Sequence, residues 1–333
     1  AVKTGLYVLK LLGVRFPEKP NKLNIMFGFL KTRLALGGRR IKDLADMPEM
    51  YDPVKSAVMV IMLNVGSAAY FSAPKLMPFF VFEGIKLSVR HGNVPSSAFL
   101  YAVYGMILCG VVGNIEFGYR FGRLALNLLE HLDLKEQKAS IYHMVNAFVR
   151  HWKEHVRKTI EPLSEGHQSG VETGDFEYAG YCAFFHSCHS FVAGMELKAV
   201  EEVMAENSDA IGYLRQETSF YIHEIYRQAV SNLIEQSGDP CSLVGRHYNE
   251  RRMLPRHQDV NDSTTLYNFY FTKLLLFYLF CEYPKAIENG SMAEKYLDGV
   301  IGFIGVPLLY FYDSLARLAV YSSSEKPMRR RIM

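Results

Sequence analysis

The sequence is poor in the features that mark secreted or zinc-finger proteins. Its 333 residues include only five cysteines, an odd number that cannot all pair in disulfides. The cysteines are Cys109, Cys182, Cys188, Cys241 and Cys281, widely scattered and mostly set among apolar neighbours. We therefore expect reduced thiols in a packed core and a cytoplasmic location.

A strong charge imbalance is also missing. The 37 basic and 34 acidic side chains are spread along the chain and give a formal charge of +3. This field is too weak to indicate a nucleic-acid partner or an anionic membrane. The one basic run, Arg329–Arg331, is interpreted as part of a solvated C-terminal tail.

Neither a targeting segment nor a convincing membrane span is present. Ala1 leads directly into a helical pattern without a signal peptide or a start methionine, so we expect a segment of a longer protein. The uncharged stretch from Ser97 to Ile115 contains three glycines and Asn114 and is slightly short for a membrane span. We interpret it as a buried helix.

Helical periodicity dominates what the sequence does contain. Apolar residues recur at intervals of three and four, as in Ile141, Met144, Val145 and Phe148. Strand-like alternation is lacking, and helices are predicted over residues 1–12 and 22–36. The breaks between later helices are predicted at Asp133, Gly174-Asp175, Gly194, Ser237-Gly238-Asp239-Pro240 and Asn261-Asp262.

A recurring small-residue pattern predicts paired helices. Gly118, Gly122 and Ala125 have the same spacing as Ala286, Gly290 and Ala293, and each set follows a turn with an aromatic residue. Small residues in a stripe let two helices approach closely. Related positions recur about every forty residues, a period found in arrays of helix pairs. We therefore predict an all-α solenoid of six to seven antiparallel helix pairs that forms a superhelix.

Several stretches of the chain carry a family resemblance. They are Leu11-Leu12-Gly13-Val14 with Pro17-Glu18-Lys19-Pro20, His151-Trp152-Lys153-Glu154-His155, Gly166-His167-Gln168-Ser169-Gly170 with Glu172-Thr173-Gly174-Asp175, and Val306-Pro307 with Tyr310-Phe311-Tyr312-Asp313-Ser314-Leu315-Ala316. In these stretches the sequence resembles the helical region that follows the NTPase domain in bacterial, cyanobacterial-type signalling proteins. Those proteins combine a serine/threonine kinase, an ATPase, a GAF domain and a histidine kinase.

The resemblance implies a TPR-like superhelix between nucleotide-driven and kinase modules. Residues 1–21 are then the end of a preceding repeat with a linker, residues 22–321 the solenoid, and residues 322–333 a tail. The chain has no phosphate-binding loop, H-R-D loop or D-F-G segment. We therefore expect no catalytic residue and no cofactor, and a regulatory scaffold that binds a protein partner or the flanking domains of its parent. The alternative is a sensor for a small-molecule inducer.

Two residue clusters are weighed as metal sites. His151 and His155, in the pattern H-x-x-E-H, would share a helix face and could ligate zinc, with Glu154 as general base in a hydrolase. The repeat register instead places this segment near a turn, and we prefer the interpretation that these side chains pack against neighbours or face solvent. Cys182, His186 and His189 would share another face and offer a zinc, copper or redox site. Their aromatic surroundings favour buried packing instead.

Two further sets of side chains are interpreted structurally. Tyr267, Phe269, Tyr270, Phe271, Phe277, Tyr278 and Phe280 form an aromatic run. We assign it mainly to the core, with a ligand groove as the alternative. The acidic residues Glu201 and Glu202, together with the pair His223 and Glu224, are interpreted as solvated helix faces.

Overall fold

The computed structural model describes residues 2–17, 20–213, 217–235 and 238–321. The predicted tail at 322–333, with Arg329–Arg331, lies outside these residues. The chain divides into two compact units, one ending at Lys153 and the other beginning at Glu154. The described residues contain fifteen α-helices and only two isolated β-bridges. The prediction of an all-α protein is therefore confirmed.

The first unit contains seven of these helices. They are α1 (Val2–Leu11), α2 (Lys22–Leu36), α3 (Pro53–Ser72), α4 (Met77–His91), α5 (Pro95–Ile107), α6 (Ile115–His131) and α7 (Lys138–Phe148). The helices predicted over 1–12 and 22–36 correspond to α1 and α2. Helix α2 has two clear ends: an Asn21–Asn24 capping box starts it, and Gly37 in the left-handed conformation closes it.

The second unit contains the other eight helices of the described chain. They are α8 (Arg157–Thr173), α9 (Phe176–Val192), α10 (Leu197–Tyr213), α11 (Glu217–Glu235), α12 (Glu250–Asp259), α13 (Ser263–Leu279), α14 (Tyr283–Ala293) and α15 (Gly305–Tyr321). In this unit α9 contacts α8, α10 and α11, and α13 contacts α11, α12, α14 and α15. Packing thus runs mainly between helices that are next or next-but-one along the chain. In the first unit, α5 likewise contacts α4, α6 and α7.

One turn geometry recurs before four helices. Gly113, Gly174, Asn261 and Cys281 each adopt a positive φ, between 49° and 79°. The next residue in each case, Asn114, Asp175, Asp262 and Glu282, has φ between −92° and −73° and ψ between 57° and 83°. It is the N-cap of the following helix, and the first three accept a backbone N–H bond through the side chain. The predicted breaks at Gly174-Asp175 and Asn261-Asp262 are therefore confirmed.

The small-residue stripe of α6 makes a close helix contact, as predicted. Gly118 faces α5, where a Cβ added to it would lie 2.7 Å from the carbonyl oxygen of Gly105 and still nearer to Sγ of Cys109. Ala125, three residues beyond Gly122, is fully buried. The second predicted stripe behaves similarly, since a Cβ at Gly290 of α14 would lie 2.8 Å from Oδ1 of Asp313 in α15.

The uncharged stretch from Ser97 to Ile115 forms α5 and a π-helical turn at Leu108–Val112. In the described part of the chain, Pro95–Val112 is the one helical segment long and apolar enough to cross a membrane, and 61% of it is buried within the protein. Tyr101 and Tyr104 are almost fully enclosed. This burial agrees with the interpretation of the stretch as a packed helix.

The α5–α6 contact leads to a stability prediction. Gly118→Ala is expected to lower the free energy of unfolding by about 2 kcal/mol, because overpacking a tight contact costs roughly 1–3 kcal/mol and outweighs the helix preference of alanine. Gly66→Ala in α3 is the matched control, since its added Cβ would meet only Sδ of Met77, at 3.8 Å. The free energy of unfolding of this control variant should rise by up to about 1 kcal/mol. Urea unfolding measures both; equal effects would contradict the role of Gly118.

Candidate functional site

The histidine segment at 151–155 is not an α-helix. Residues Arg150–Trp152 form a short 3-10 turn, and α8 begins only at Arg157. Burial lowers the pKa of His151 to about 4. His155 is exposed, and its Nδ1 accepts the backbone N–H of Arg157 at 3.2 Å. The segment lies at a turn, so the α-helical geometry in which His151 and His155 were weighed as zinc ligands is not formed.

The second candidate cluster lies on α9 and is largely buried. Cys182 and His189 are fully enclosed, and Nδ1 of His189 lies 2.6 Å from Oγ1 of Thr159. His186 is partly buried, with Nδ1 3.1 Å from Nδ2 of Asn207. Burial raises the pKa of the Cys182 thiol well above its ordinary value, which disfavours a reactive thiolate. Cys182 and His189 are therefore buried as the packing interpretation expects, and His186 is buried only in part.

Within the described ranges, no cluster of three or more His, Cys, Asp or Glu side chains is arranged to hold a metal ion. The acid and histidine side chains that do meet form a different kind of site, in the second unit.

A buried polar network joins α9, α10 and α11; it consists of Ser187, Asn207, Ser208, His223 and Glu224. The hydroxyl of Ser187 lies 3.0 Å from Nε2 of His223, while Nδ1 of His223 lies 3.2 Å from Oε1 of Glu224. Ser208 donates to the same carboxylate oxygen at 2.7 Å, and Asn207 donates to Ser187 at 2.9 Å. All five side chains are buried. The prediction that His223 and Glu224 form a solvated helix face is therefore wrong.

Charged neighbours extend the polar network toward the surface. Arg227 donates through Nε and Nη2 to Oε1 of Glu201, at 3.1 and 2.9 Å. His247 lies between two carboxylates, 3.8 Å from Oε2 of Glu224 and 3.9 Å from Oε1 of Glu201. Glu202 is exposed, as predicted for both members of its pair. Glu201 instead anchors a half-buried ion pair.

The pKa values of Glu224 and of two histidines near the polar network are shifted. Burial alone would raise the pKa of Glu224, but hydrogen bonds from His223 and Ser208 lower it below the ordinary value. Burial lowers the pKa of His247, and the positive charge of Arg227 lowers it further. The pKa of His186 is lowered by burial and by His167. The folded unit therefore favours an ionised Glu224 and disfavours the charged forms of His247 and His186.

The order Ser187, His223, Glu224 is that of a nucleophile, a base and an orienting acid. A hydrolytic site also needs substrate access and preorganised N–H donors for an oxyanion. Ser187 is only 1% exposed and lies within α9, where the backbone N–H groups belong to the helix. The chemistry that this arrangement supports is therefore directional hydrogen bonding among three helices.

The aromatic run on α13 is mostly core, as predicted. Five of its seven members, from Tyr267 to Phe277, are buried, whereas Phe280 is exposed. Tyr270, Lys273 and Phe277 also line an open cavity of about 340 Å³ that reaches α14. Nζ of Lys273 donates to the carbonyl oxygen of Cys241 at 2.6 Å and to Glu250 at 2.9 Å. This lysine therefore ties the segment before α12, and α12 itself, to α13.

Comparison with known proteins gives a weak similarity to a signalling protein. No protein-family model matches the sequence. Over 176 residues, 52% of the chain, it is 22% identical to hybrid signal transduction histidine kinase G of Dictyostelium discoideum. The matched region spans 5% of the Dictyostelium protein. The chain is thus similar to a small part of a much longer signalling protein.

Removal of the Glu224 charge is expected to destabilise the second unit. Glu224→Gln should lower the free energy of unfolding by about 2 kcal/mol near neutral pH, because hydrogen bonds to a buried charged group are worth roughly 1.5–3 kcal/mol. A carboxylate whose pKa is lowered on folding stabilises the fold at pH values above its pKa in the unfolded chain, here 4.5. The difference in the free energy of unfolding between the unsubstituted protein and the variant should therefore narrow as the pH falls below this value. Urea unfolding across pH checks this, and a gap of constant size would contradict it.

The exposed Glu202 on α10 offers the matched control. Glu202→Gln removes the same charge without breaking a buried hydrogen bond, and its effect should stay within about 0.5 kcal/mol.

The environment of His247 predicts a second pH effect. Its pKa is lowered in the folded protein, so the unfolded chain binds the proton more readily. Stability should decline as the pH falls below 6.5, the ordinary histidine value. His247→Gln should make that decline shallower, leaving the contributions of the other histidines whose pKa is lowered by burial, His143, His151, His186 and His257. Thermal unfolding from about pH 7.5 to 5.5 measures the slope; an unchanged slope would contradict this role of His247.

Proposed function

We propose that the chain is a TPR-like α-solenoid that serves as a non-catalytic scaffold in a larger signalling protein. The observation that carries this proposal is the recurrence of one helix–turn geometry with packing between next and next-but-one helices. In such arrays each helix pair covers the apolar side of its neighbour. The repeated turn, with a left-handed residue before the helix cap, supports the same structural unit being used several times.

The signalling context rests on the comparison with the Dictyostelium histidine kinase. The match covers 52% of this chain and 5% of that protein, which supports assigning any kinase activity to other modules of the parent. The chain itself has no phosphate-binding or kinase catalytic motif. We infer that the segment connects nucleotide-driven and kinase modules in the cytoplasm.

The proposed coupling follows from the mechanics of helix arrays. Small changes in the angle between neighbouring helix pairs add up along an array. Docking of one module therefore changes the curvature of the surface on which another module docks. Directional contacts such as the polar network would keep α9, α10 and α11 in register during such a change. The segment then transmits the state of a module without any chemistry of its own.

A small-molecule sensor is the second candidate, favoured by the cavity beside α13. Its walls combine Tyr270 and Phe277 with two lysines and one acidic residue, Glu288, and the ammonium groups of Lys273 and Lys285 lie 5.1 and 5.4 Å from the centre of the Phe277 ring. Aromatic and cationic groups together suit a planar anionic molecule. A ligand of this kind, present at a free concentration of about 100 times its dissociation constant, should raise the free energy of unfolding by about 2.7 kcal/mol.

Binding to neighbouring modules tests the scaffold function. We expect the purified chain to bind the kinase or ATPase modules of its parent with a dissociation constant on the order of micromolar, as for transient interfaces between domains. Alternatively, addition of the chain should change their ATP turnover at least about fivefold. Titration calorimetry and a coupled ATPase assay measure the two effects. The absence of both would contradict the proposal.

A further inference from the structure

Helix α2 exposes an apolar seam. It consists of Leu23, Phe27, Leu30 and Leu34, which are 62%, 58%, 45% and 79% exposed. Exposed leucine and phenylalanine side chains are individually common, but four along one face of a single helix form a continuous apolar surface. Met26, 50% exposed, widens this surface.

The opposite face of α2 is already occupied. Thr32 is fully buried, and its hydroxyl donates to the carbonyl oxygen of Gly28 at 2.9 Å. Gly28 lies so close to α4 that an added Cβ would be 2.9 Å from the ring of Phe82, and the rings of Phe29 and Phe82 lie 6.1 Å apart. Helix α2 is therefore held on α4, and the α2 seam lies on the side that α4 leaves uncovered.

The spacing of the α2 seam is that of a coiled-coil interface. Its members follow one another at intervals of four, three and four residues, which keeps them in line with a second helix. In this register Leu23 and Leu30 take d positions, whereas Phe27 and Leu34 take a positions. A second helix fits such a narrow ridge better than a flat surface does.

Basic residues border the α2 seam. Lys31 takes an e position and Arg33 a g position, the places from which charges reach across to a partner helix. Both are exposed and take part in no ion pair within the described residues. The whole region is basic: residues 1–42 contain ten basic side chains and one acidic one, so the even overall balance conceals a positive N-terminal part.

We infer that the α2 seam docks an amphipathic α-helix of a protein partner, with apolar a and d positions and flanking glutamate or aspartate. The charges select this occupant over a second copy of the chain, which would place Lys31 and Arg33 against the same basic residues. The inference rests on the proposed scaffold function and names one of its docking surfaces.

The inference is tested by binding of designed helices to the full chain. One probe is a labelled three-heptad peptide with leucine at a and d and glutamate at e and g; the other has lysine at e and g. The acidic peptide should bind at least about tenfold more tightly, because its flanks attract Lys31 and Arg33. The difference should shrink between about 50 and 500 mM salt. Fluorescence anisotropy measures both affinities.

Matched variants separate the effect of the apolar α2 seam from the effect of the basic residues that border it. Leu34→Gln should weaken the acidic peptide about tenfold through lost apolar contact. Leu318→Gln in α15, at a leucine 64% exposed, should leave the affinity unchanged. Lys31→Glu with Arg33→Glu should reverse the preference between the peptides. The exposed pair Lys198→Glu with Arg251→Glu is the charge control. Melting temperatures verify that every variant is folded.

Several outcomes would overturn the inference. They are equal binding of both peptides, no binding of either, an unchanged affinity of the Leu34→Gln variant, or a dimer of the chain that this variant disrupts. Binding to phosphatidylserine vesicles that depends on Leu34, without binding of the acidic peptide, would assign the α2 seam to a membrane instead. If the parent's modules bind while the acidic peptide does not, the scaffold function stands and only this inference fails. If the acidic peptide binds and the modules do not, the α2 seam stands as a docking surface and the proposed scaffold function fails.

Discussion

The structure depends on one constraint: an apolar helix face must be covered by another helix close along the chain. At α5 and α6 this is met by glycine, because Gly105 and Gly118 bring two backbones within contact distance. Between α9, α10 and α11 the polar network takes part in the contact. Both kinds of contact hold neighbouring helices together, but they have different requirements. A glycine contact requires shape alone, whereas the bonds among Ser187, His223 and Glu224 also require direction.

Much of the helical framework was predictable because its signals are local. Lys22–Leu36 begins with a capping residue and ends at two glycines, so its bounds could be predicted from the sequence alone. Asp133 and Asn261 were correctly predicted as breaks, and both take a positive φ. The stripe at Gly118 and Gly122 was informative for the same reason: its meaning depends on side-chain size, which the sequence states directly.

The polar network was missed because burial of a polar residue depends on what lies across from it. On α11 the apolar residues Ile222, Ile225 and Tyr226 indicate one buried face, and His223 and Glu224 lie on other sides of the helix. Those sides are covered by further helices, since α11 contacts α9, α10 and α13. The five successive residues Ile222–Tyr226 are all buried, so this part of α11 is enclosed on several sides and paired polar groups replace water there.

Helix α2 has apolar residues on two faces, and this alone limits its surroundings. A helix that is apolar on more than one side is stable in water only when more than one neighbour covers it. Gly28, Phe29 and Thr32 account for the face toward α4, which leaves the face of Leu23 and Leu34. Apolar contact on that face supplies affinity without direction. The flanking lysine and arginine add selectivity, because unlike charges are favoured there and like charges are penalised. Affinity and choice of partner therefore reside on the same helix but in different side chains.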